Sequence, residues 1–171
     1  MERSSNKKWY AVYTAPRAEK KVAERFTEAS IEYYLPLKTV RRQWSDRIKK
    51  VEVPVINGYI FVRITPKQVQ EVLQVFGAIS FVRMNRENNA PAAIPDEQIR
   101  QLRFMCDYSD ESVDISMENI KPGEKVIVVK GDMTGLMGEL VRIDGKHKVL
   151  IRIDHLGCAT TSISLSFLQR G

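Results

Sequence analysis

In the first hundred residues the spacing of the apolar positions changes along the chain. Segments with an apolar residue at every second position, typical of strands, alternate with segments in which the spacing is three or four residues, typical of helices. Trp9–Thr14 combines aromatic and β-branched side chains, which predicts a strand. Apolar side chains then recur at helical spacing over Ala18–Ala29, which predicts a helix with one buried face. Val55–Ile64 and Ile79–Met84 are again strand-like, and Gly58 interrupts the first of them, where a glycine indicates a bulge or the close approach of another backbone.

Two further helices are indicated by their first residues. Thr65-Pro66-Lys67-Gln68 has a threonine cap, a proline in the first turn and a glutamine three residues after the cap. We expect the buried face of this helix to include Phe76. Pro95-Asp96-Glu97 begins a third helix, with Ile99 and Leu102 on its apolar face. Alternating strands and helices predict an α+β or α/β layer.

A hairpin is predicted between the first helix and the Val55–Ile64 strand. Leu35–Trp44 and Ile48–Val53 are extended segments on either side of Ser45-Asp46-Arg47, three residues typical of a turn. The hairpin is rich in lysine and arginine, and Trp44 lies beside its turn.

Shorter strands and more frequent glycines follow residue 121. The segments that read as strands are Val126–Val129, Gly138–Ile143, Lys148–Ile153 and Thr160–Ser164, and Asp144-Gly145 is a strong hairpin signal. Several short strands with tight turns in about 50 residues predict a small barrel.

Charge divides the chain in the same way. Residues 1–106 hold 19 basic and 11 acidic side chains, whereas residues 107–120 hold five acidic side chains and no basic one. We therefore predict a domain at residues 1–106, an acidic linker at 107–120 and a barrel domain at 121–171. The basic first domain indicates a polyanionic partner such as nucleic acid, although many basic proteins have none.

Several classes of protein are disfavoured. No apolar run approaches the roughly 18 residues of a membrane span, and Met1–Lys8 lacks an apolar signal region. Cys106 and Cys158 lack Cys-x-x-Cys spacing, so a reduced, cytoplasmic protein without a membrane partner is the simplest interpretation.

Candidate chemistry is equally sparse. His147 and His155, with Cys158 nearby, lack the short ligand spacings of a metal site. The glycines of residues 131–138 are not followed by Gly-Lys-Ser/Thr, so they form no phosphate-binding loop. We expect no metal, no cofactor and no catalytic site, and so no enzyme.

Six segments, taken in order, resemble the NusG family of transcription factors, and the resemblance covers residues 8–170. It implies an antiparallel sheet flanked by helices, of the NGN type, followed by a small SH3-like KOW β-barrel. The segments are Trp9-Tyr10-Ala11-Val12-Tyr13, Asn57-Gly58-Tyr59-Ile60-Phe61-Val62, Gly77-Ala78-Ile79-Ser80-Phe81-Val82, Pro95-Asp96-Glu97-Gln98-Ile99, Lys121-Pro122-Gly123-Glu124-Lys125-Val126 and His155-Leu156-Gly157-Cys158-Ala159-Thr160.

Within the family, two segments are most similar to the specialised paralogues, including RfaH and the UpxY-type regulators of Bacteroides capsule operons. These are Glu32-Tyr33-Tyr34-Leu35-Pro36 and Arg42-Gln43-Trp44-Ser45-Asp46-Arg47. One position departs from the family, which often has Phe-Pro before the Gly/Asn-Tyr strand, where this chain has Ile56-Asn57.

The resemblance implies an elongation or antitermination factor that binds RNA polymerase and suppresses pausing or termination, with an operon-specific role in the specialised branch. In this family an apolar depression receives the clamp helices of RNA polymerase. Taken singly, each residue implied there is more simply explained as ordinary core. These residues are Tyr13, Ile56, Tyr59, Phe61, Ile99 and Leu102.

The resemblance also implies contact with non-template or upstream DNA, with nascent RNA as a further candidate. Lysine and arginine can neutralise phosphates and Trp44 can stack on an unpaired base. A solvated face is the alternative, above all on the first helix, where Glu19, Glu24 and Glu28 dilute the charge. The candidates are Arg17, Lys20, Lys21 and Arg25 on the helix and Lys38, Arg41, Arg42, Trp44, Arg47, Lys49 and Lys50 on the hairpin.

For the barrel the implied partner is a ribosomal protein or a termination factor, and a monomer is expected. A plain RNA-binding or ribosome-associated KOW module is the alternative function, but it leaves residues 9–106 unexplained. RfaH can fold the equivalent domain as a helical hairpin. Here the β-branched residues of Ile143–Ile153 and glycines such as Gly145 oppose a helix, so we predict a barrel.

Overall fold

The computed structural model describes residues 6–85, 87, 89–109 and 111–171. They form two compact units, the first ending at Ala93 and the second comprising Ile94–Gly171. The elements up to this boundary are β1 (Lys8–Thr14), α1 (Glu19–Glu28), β2 (Glu32–Tyr34), β3 (Leu37–Gln43), β4 (Ile48–Pro54), β5 (Tyr59–Ile64), α2 (Val69–Leu73), β6 (Ala78–Phe81) and β7 (Ala93–Ile94).

An antiparallel sheet with strand order β2-β5-β1-β6 is the base of the first unit, and β7 also pairs with β1. Its centre is the pairing of β1 with β5, which continues from Lys8 opposite Ile64 to Tyr13 opposite Tyr59. Successive side chains of a strand point to opposite faces of the sheet. This register therefore determines, for each residue of β1 and β5, which of the two faces its side chain lies on. The sheet and its helices confirm the predicted α+β class.

The core of the first unit lies between one sheet face and α1. Val12 of β1 and Val62 of β5 belong to the same buried cluster as Val22 and Phe26 of α1, and all four are fully buried. The predicted helix is confirmed, but it begins at Glu19. Arg17 has a φ of +60°, so the residues just before α1 are not helical.

Gly58, the glycine just before β5, lets the backbone adopt the positive φ that the turn requires. Gly58 has a φ of +84°, and no atom lies within 4 Å of the position that a Cβ would occupy. Of the two explanations predicted for Gly58, close approach of another backbone is therefore wrong. Positive φ, which a glycine adopts at little cost, explains the residue.

The second helix is confirmed at its start and differs at its end. Gln68 Oε1 accepts a hydrogen bond of 3.0 Å from the N–H of Thr65, which forms part of the predicted cap. The α-helix ends at Leu73, and the prediction that Phe76 is buried is wrong, since its side chain is 81% exposed. Val72 is buried one turn earlier, and the helical period on which the prediction rested stops before Phe76.

The predicted hairpin is confirmed as a two-stranded sheet of its own. β3 pairs antiparallel with β4 from Leu37 opposite Pro54 to Gln43 opposite Ile48. Trp44 and Arg47 close the turn, in which the N–H of Trp44 donates to the carbonyl of Arg47 at 2.7 Å.

The second unit consists of one helix and a six-stranded antiparallel sheet with strand order β13-β9-β10-β11-β12-β8. The strands confirm the small barrel and contradict a helical hairpin in this structure. Its elements are α3 (Asp96–Tyr108), β8 (Val113–Ser116), β9 (Glu124–Val128), β10 (Met137–Ile143), β11 (Lys146–Ile153), β12 (Gly157–Ser162) and β13 (Leu168–Arg170).

Two segments that the sequence places outside the barrel domain lie in the second unit, while the domain bounds 1–106, 107–120 and 121–171 stay a prediction. Part of the predicted linker forms the strand β8, which pairs with β12. Val113 of β8 is buried, and the Lys148 ammonium forms an ion pair with the Asp114 carboxylate at 3.2 Å. The third helix belongs to the second unit, since α3 contacts β11. Gln98 of α3 exchanges two hydrogen bonds with Asp154, at 2.9 and 2.7 Å. Both differences depend on long-range pairing, which weak local periodicity does not reveal.

Gly157 allows β8 to approach β12. A Cβ at Gly157 would lie 2.0 Å from the carbonyl oxygen of Ser116, and the φ of Gly157 is +138°. Gly145 is also at positive φ, but open space surrounds its Cβ position. Gly145 is therefore required only for its backbone conformation, whereas Gly157 is required for its backbone conformation and for the close approach of β8.

We predict that Gly157→Ala destabilises the protein by more than Gly145→Ala. At Gly145 an alanine meets only the cost of a left-handed backbone, about 1–2 kcal/mol. At Gly157 the φ of +138° lies further from the region open to alanine, and the added methyl group also forces β8 away. Urea unfolding of the full chain measures the difference. Equal losses of stability for the two variants would contradict the steric role of Gly157.

Candidate functional site

The sheet face opposite the α1 core carries an aromatic pair. Tyr13 lies directly opposite Tyr59, and their ring centroids are 4.8 Å apart. The Tyr13 side chain is 39% exposed, and Tyr59 is half-buried. Burial, together with the hydrogen bond between the two phenols, raises the pKa of Tyr59 to about 12. The Tyr59 phenol therefore stays uncharged near neutral pH, and the two rings together present an amphipathic surface.

Other residues predicted for the polymerase site lie beneath the surface. Phe61 is fully buried and stacks on Tyr34, with ring centroids 6.2 Å apart, and Ile56 is also buried. Ile99 and Leu102 are buried on α3, in the second unit. Of the six, only Tyr13 and Tyr59 are accessible in this conformation. The assignment of all six residues to one partner site stays a prediction.

A buried carboxylate holds the turn at the end of this aromatic face. Oε1 of Glu19 accepts a hydrogen bond of 3.0 Å from the N–H of Gly58. The Gly58 carbonyl in turn accepts a hydrogen bond of 2.9 Å from the N–H of Thr14. Glu19 thus ties the first turn of α1 to the turn before β5. Sequence alone places Glu19 among the surface charges, and no local signal distinguishes it from Glu24.

The basic hairpin is exposed along its outer half. Arg42 lies opposite Lys49 on one face, and Arg41 lies opposite Lys50 on the other. The Nζ of Lys49 lies 5.4 Å from the centroid of the Trp44 ring, which is 52% exposed. Among the described residues, none of the hairpin's lysines and arginines forms an ion pair with a carboxylate.

The basic residues of α1 are less uniform. Arg17, Lys20 and Lys21 are exposed, and Lys21 lies 3.6 Å from Glu24. Arg25 is already engaged, because its Nη1 donates to the Phe76 carbonyl oxygen at 2.7 Å. The Arg25 guanidinium also lies 5.1 Å from the centroid of the Phe76 ring. Charge alone therefore overstates how free Arg25 is to contact phosphate.

Some charged side chains of the second unit form ion pairs that stabilise the fold. Arg152 forms a two-point ion pair with Glu139, at 2.7 and 3.0 Å, and also donates to the Ile120 carbonyl at 2.8 Å. The hydrogen bond from Arg152 is the main reason the pKa of Glu139 is lowered. Burial raises the pKa of the Cys158 thiol, which makes that sulfur a poor nucleophile near neutral pH.

The described residues contain neither a cluster of metal-ligating side chains nor a membrane-spanning helix. No three His, Cys, Asp or Glu side chains are grouped there where they could hold a metal ion. No helix in the same part of the chain is both long enough and apolar enough to span a membrane.

The fold, an α+β sheet unit with a basic hairpin followed by a small β-barrel, is found together with a family-wide sequence pattern. The sequence pattern of the family described as transcription termination factor nusG matches residues 7–103. That of the second KOW domain of transcription elongation factor SPT5 matches residues 122–167. The chain belongs to the NusG family. Members of this family are transcription factors, which confirms the prediction that the protein is not an enzyme.

Relatives and a solved structure agree with this assignment. The chain is 24% identical to the transcription termination/antitermination proteins NusG of Streptococcus pyogenes serotypes M1 and M3, over 93% of each sequence. It is 20% identical to NusG of Thermotoga maritima, in a structure that concerns domain interaction. There the TM-score is 0.55 and the match covers 98% of both chains, which supports the fold.

We predict that Glu19→Ala destabilises the first unit by about 1–3 kcal/mol, because the N–H of Gly58 loses its acceptor in a largely buried site. Thermal or urea unfolding measures the loss. Glu24→Ala is the matched control, since Glu24 is exposed on the same helix and forms only a 3.6 Å ion pair. Equal stability of the two variants would show that the Glu19 hydrogen bond is dispensable.

Proposed function

We propose that this protein binds RNA polymerase and suppresses pausing or termination. The observation that carries the proposal is the Tyr13–Tyr59 pair, which is partly exposed on the sheet face opposite the α1 core. Tyrosines of this kind are frequent anchors in protein interfaces, since they add apolar area with little loss of conformational entropy. A helical partner such as the polymerase clamp helices would bind over this pair.

The pair has a buried neighbour on its own sheet face. Phe61 lies two positions along β5 from Tyr59, on the same face, and is fully buried and stacked on Tyr34. Ile56 is buried just before the turn that Glu19 holds. Such packing pre-organises an interface and lowers the entropy lost on binding. Ile99 and Leu102 join the proposed contact only if the partner reaches buried side chains of α3.

Binding across the polymerase clamp would act on pausing through a conformational equilibrium. A factor that binds the closed clamp more tightly than the open one shifts the population towards the closed, elongating form. The size of that shift equals the difference between the two binding free energies. The protein therefore needs no catalytic group to change the rate of elongation.

The hairpin is proposed to contact nucleic acid beside the polymerase, either non-template or upstream DNA or the nascent RNA. Four of its cations, Arg41, Arg42, Lys49 and Lys50, form two facing pairs, and none of the four forms an ion pair with a carboxylate among the described residues. Repulsion within each pair is relieved when phosphates lie between or beside the side chains. Trp44 would stack on an unpaired base.

The proposal also covers the partner of the barrel and the range of operons on which the protein acts. The barrel binds a further protein, a ribosomal protein or a termination factor. The role is operon-specific, and the support for this is the resemblance of residues 32–36 and 42–47 to the specialised paralogues. Genome-wide polymerase occupancy with and without the protein would identify the operons affected.

We predict that Tyr13→Ala weakens polymerase binding by about thirtyfold or more, because hot-spot residues commonly contribute about 2 kcal/mol or more. Binding of the full chain to purified core polymerase measures the change. Tyr13→Phe keeps the ring and should retain most of the affinity.

Tyr108→Ala provides the matched control, since Tyr108 is a tyrosine of the second unit that is 51% exposed. Unchanged polymerase affinity in folded Tyr13→Ala would exclude the aromatic pair as the contact. Binding of the wild type to ribosomal RNA without any affinity for polymerase would favour a ribosome-associated module instead.

We predict that replacing Arg42 and Arg47 together by alanine flattens the salt dependence of nucleic-acid binding. Removal of one phosphate contact should lower the slope of log affinity against log salt by about 0.7 for single strands and about 0.9 for duplex. Titration of the full chain with oligonucleotides at several salt concentrations measures the slope. The control replaces both residues by lysine and should keep it. A slope that does not change with alanine would identify the hairpin as a solvated face.

A further inference from the structure

The strand β8 comes from the connection between the two stretches of the chain that match known sequence patterns. Those stretches are residues 7–103 and 122–167, so β8 belongs to neither. The strands β9 to β13 form a continuous antiparallel order by themselves, and β8 extends that order by pairing with β12. Without β8, β12 would be an edge strand, whose free N–H and carbonyl groups are a template for another strand.

The contact that holds β8 against β12 is short. The two strands are paired over four residues, from Thr161 opposite Val113 to Cys158 opposite Ser116. Val113 is buried, whereas Ile115 and Ser116 are only partly buried. Segments with few buried apolar side chains open at a lower free-energy cost than the core of a sheet. We therefore expect β8 to detach more readily than the central strand β11, which is buried along its middle.

The buried face of β12 carries small side chains beside β8. Ala159 and Thr161 are fully buried, and they lie opposite Ile115 and Val113 of β8. Residues directly opposite each other on neighbouring strands pack together, so small side chains on β12 leave room for larger ones on the strand beside it. This face favours a strand with apolar residues at every second position.

The other face of β12 adds a requirement for negative charge. Lys148 of β11 extends across β12, and its ammonium lies 3.2 Å from the Asp114 carboxylate of β8. The Lys148 side chain is only 15% exposed, whereas that of Asp114 is 59% exposed. An ammonium with so little access to water is costly to leave without a partner anion. A strand that replaces β8 therefore needs a carboxylate between its two apolar residues.

We propose that the β12 edge is the docking site for the protein partner of the barrel, and that β8 is a latch that covers this edge until the partner binds. The partner adds an extended segment with an apolar–acidic–apolar pattern, in the position now held by Val113, Asp114 and Ile115. The inference rests on the proposed function, in which the barrel binds a further protein, and it names the kind of segment recognised. In strand addition the main-chain hydrogen bonds supply affinity and the alternating side chains supply specificity.

A labelled peptide of residues 111–118 tests the edge directly, because it carries the β8 sequence on a separate molecule. In the full chain, Val113→Asp places a charge on the buried face and should release β8. We expect the peptide to bind Val113→Asp, and to bind the wild type at least about tenfold more weakly, since a latch closed in about nine molecules of ten lowers the apparent affinity by that factor. Val129→Asp is the matched control, at an exposed valine of the same unit outside β8, and should behave as the wild type does.

Changes within the peptide test the charge requirement. A peptide with Asp114→Asn should bind the Val113→Asp chain about tenfold more weakly than the parent peptide, the order expected for one charge-assisted hydrogen bond. A peptide with Glu111→Gln should bind as the parent does, because Glu111 is exposed and precedes β8. Equal binding of all three peptides would overturn the assignment of this edge to an acidic segment.

Amide hydrogen exchange of the wild type gives a readout that needs no variant. The β8 amides that pair with β12 should exchange faster than the β12 amides that pair with β11, because the latch opens without unfolding the barrel. Equal exchange rates would overturn the latch, and so would equal peptide binding, or none, to the wild type and Val113→Asp. Val113→Ser, a milder change, replaces Val113→Asp if that variant does not fold.

Binding of a ribosomal protein and of a termination factor to the same chains separates this inference from the proposed function. If either protein binds the wild type and Val113→Asp with equal affinity, the proposed partner stands and the latch fails. If the peptide binds only Val113→Asp while neither protein binds any of the chains, the β12 edge stands and the assignment of the partner fails.

Discussion

The antiparallel register of β1 with β5 determines most of what the first unit can do. Val12 and Ile60 are opposite each other on the face that packs against α1, and Tyr13 and Tyr59 are opposite each other on the other face. A slip of one residue would exchange the two faces, turning Tyr13 and Tyr59 towards α1 and removing Val12 and Ile60 from the core. Core stability and the proposed aromatic contact therefore depend on the same hydrogen bonds, and neither can change without the other.

Glu19 links this register to the helix beside it. Its carboxylate binds the N–H of Gly58, and Gly58 binds the N–H of Thr14, so α1, β1 and the turn before β5 share one short chain of hydrogen bonds. A buried donor is costly to leave without an acceptor of this kind. The turn just before Tyr59 is consequently held in place by α1, and α1 is also the helix whose Arg25 holds Phe76.

Elements with a clear local period were predictable, and the exceptions have physical causes. The helix α1, the hairpin β3–β4 and the capped start at Thr65 follow from periodicity and turn chemistry. The prediction for Phe76 was wrong because a periodic pattern does not state where a helix ends. β8 was missed because its strand is defined by its partner β12 rather than by its own sequence. The family resemblance assigned Tyr13, Tyr59 and Phe61 to one apolar depression, but only the structure shows which of them are accessible.

The fold separates the residues that determine stability from those proposed to bind nucleic acid. The outer half of the hairpin is exposed, and its paired cations contribute nothing to the buried cluster around Phe26. Substitutions there can therefore alter affinity without unfolding the sheet. Phosphate contacts and stacked aromatics also respond differently to conditions, since salt weakens the former and has little effect on the latter. A surface that combines both can bind an unpaired strand at salt concentrations where charge alone would release it, and Trp44, exposed beside the paired cations of the hairpin, would supply that second component.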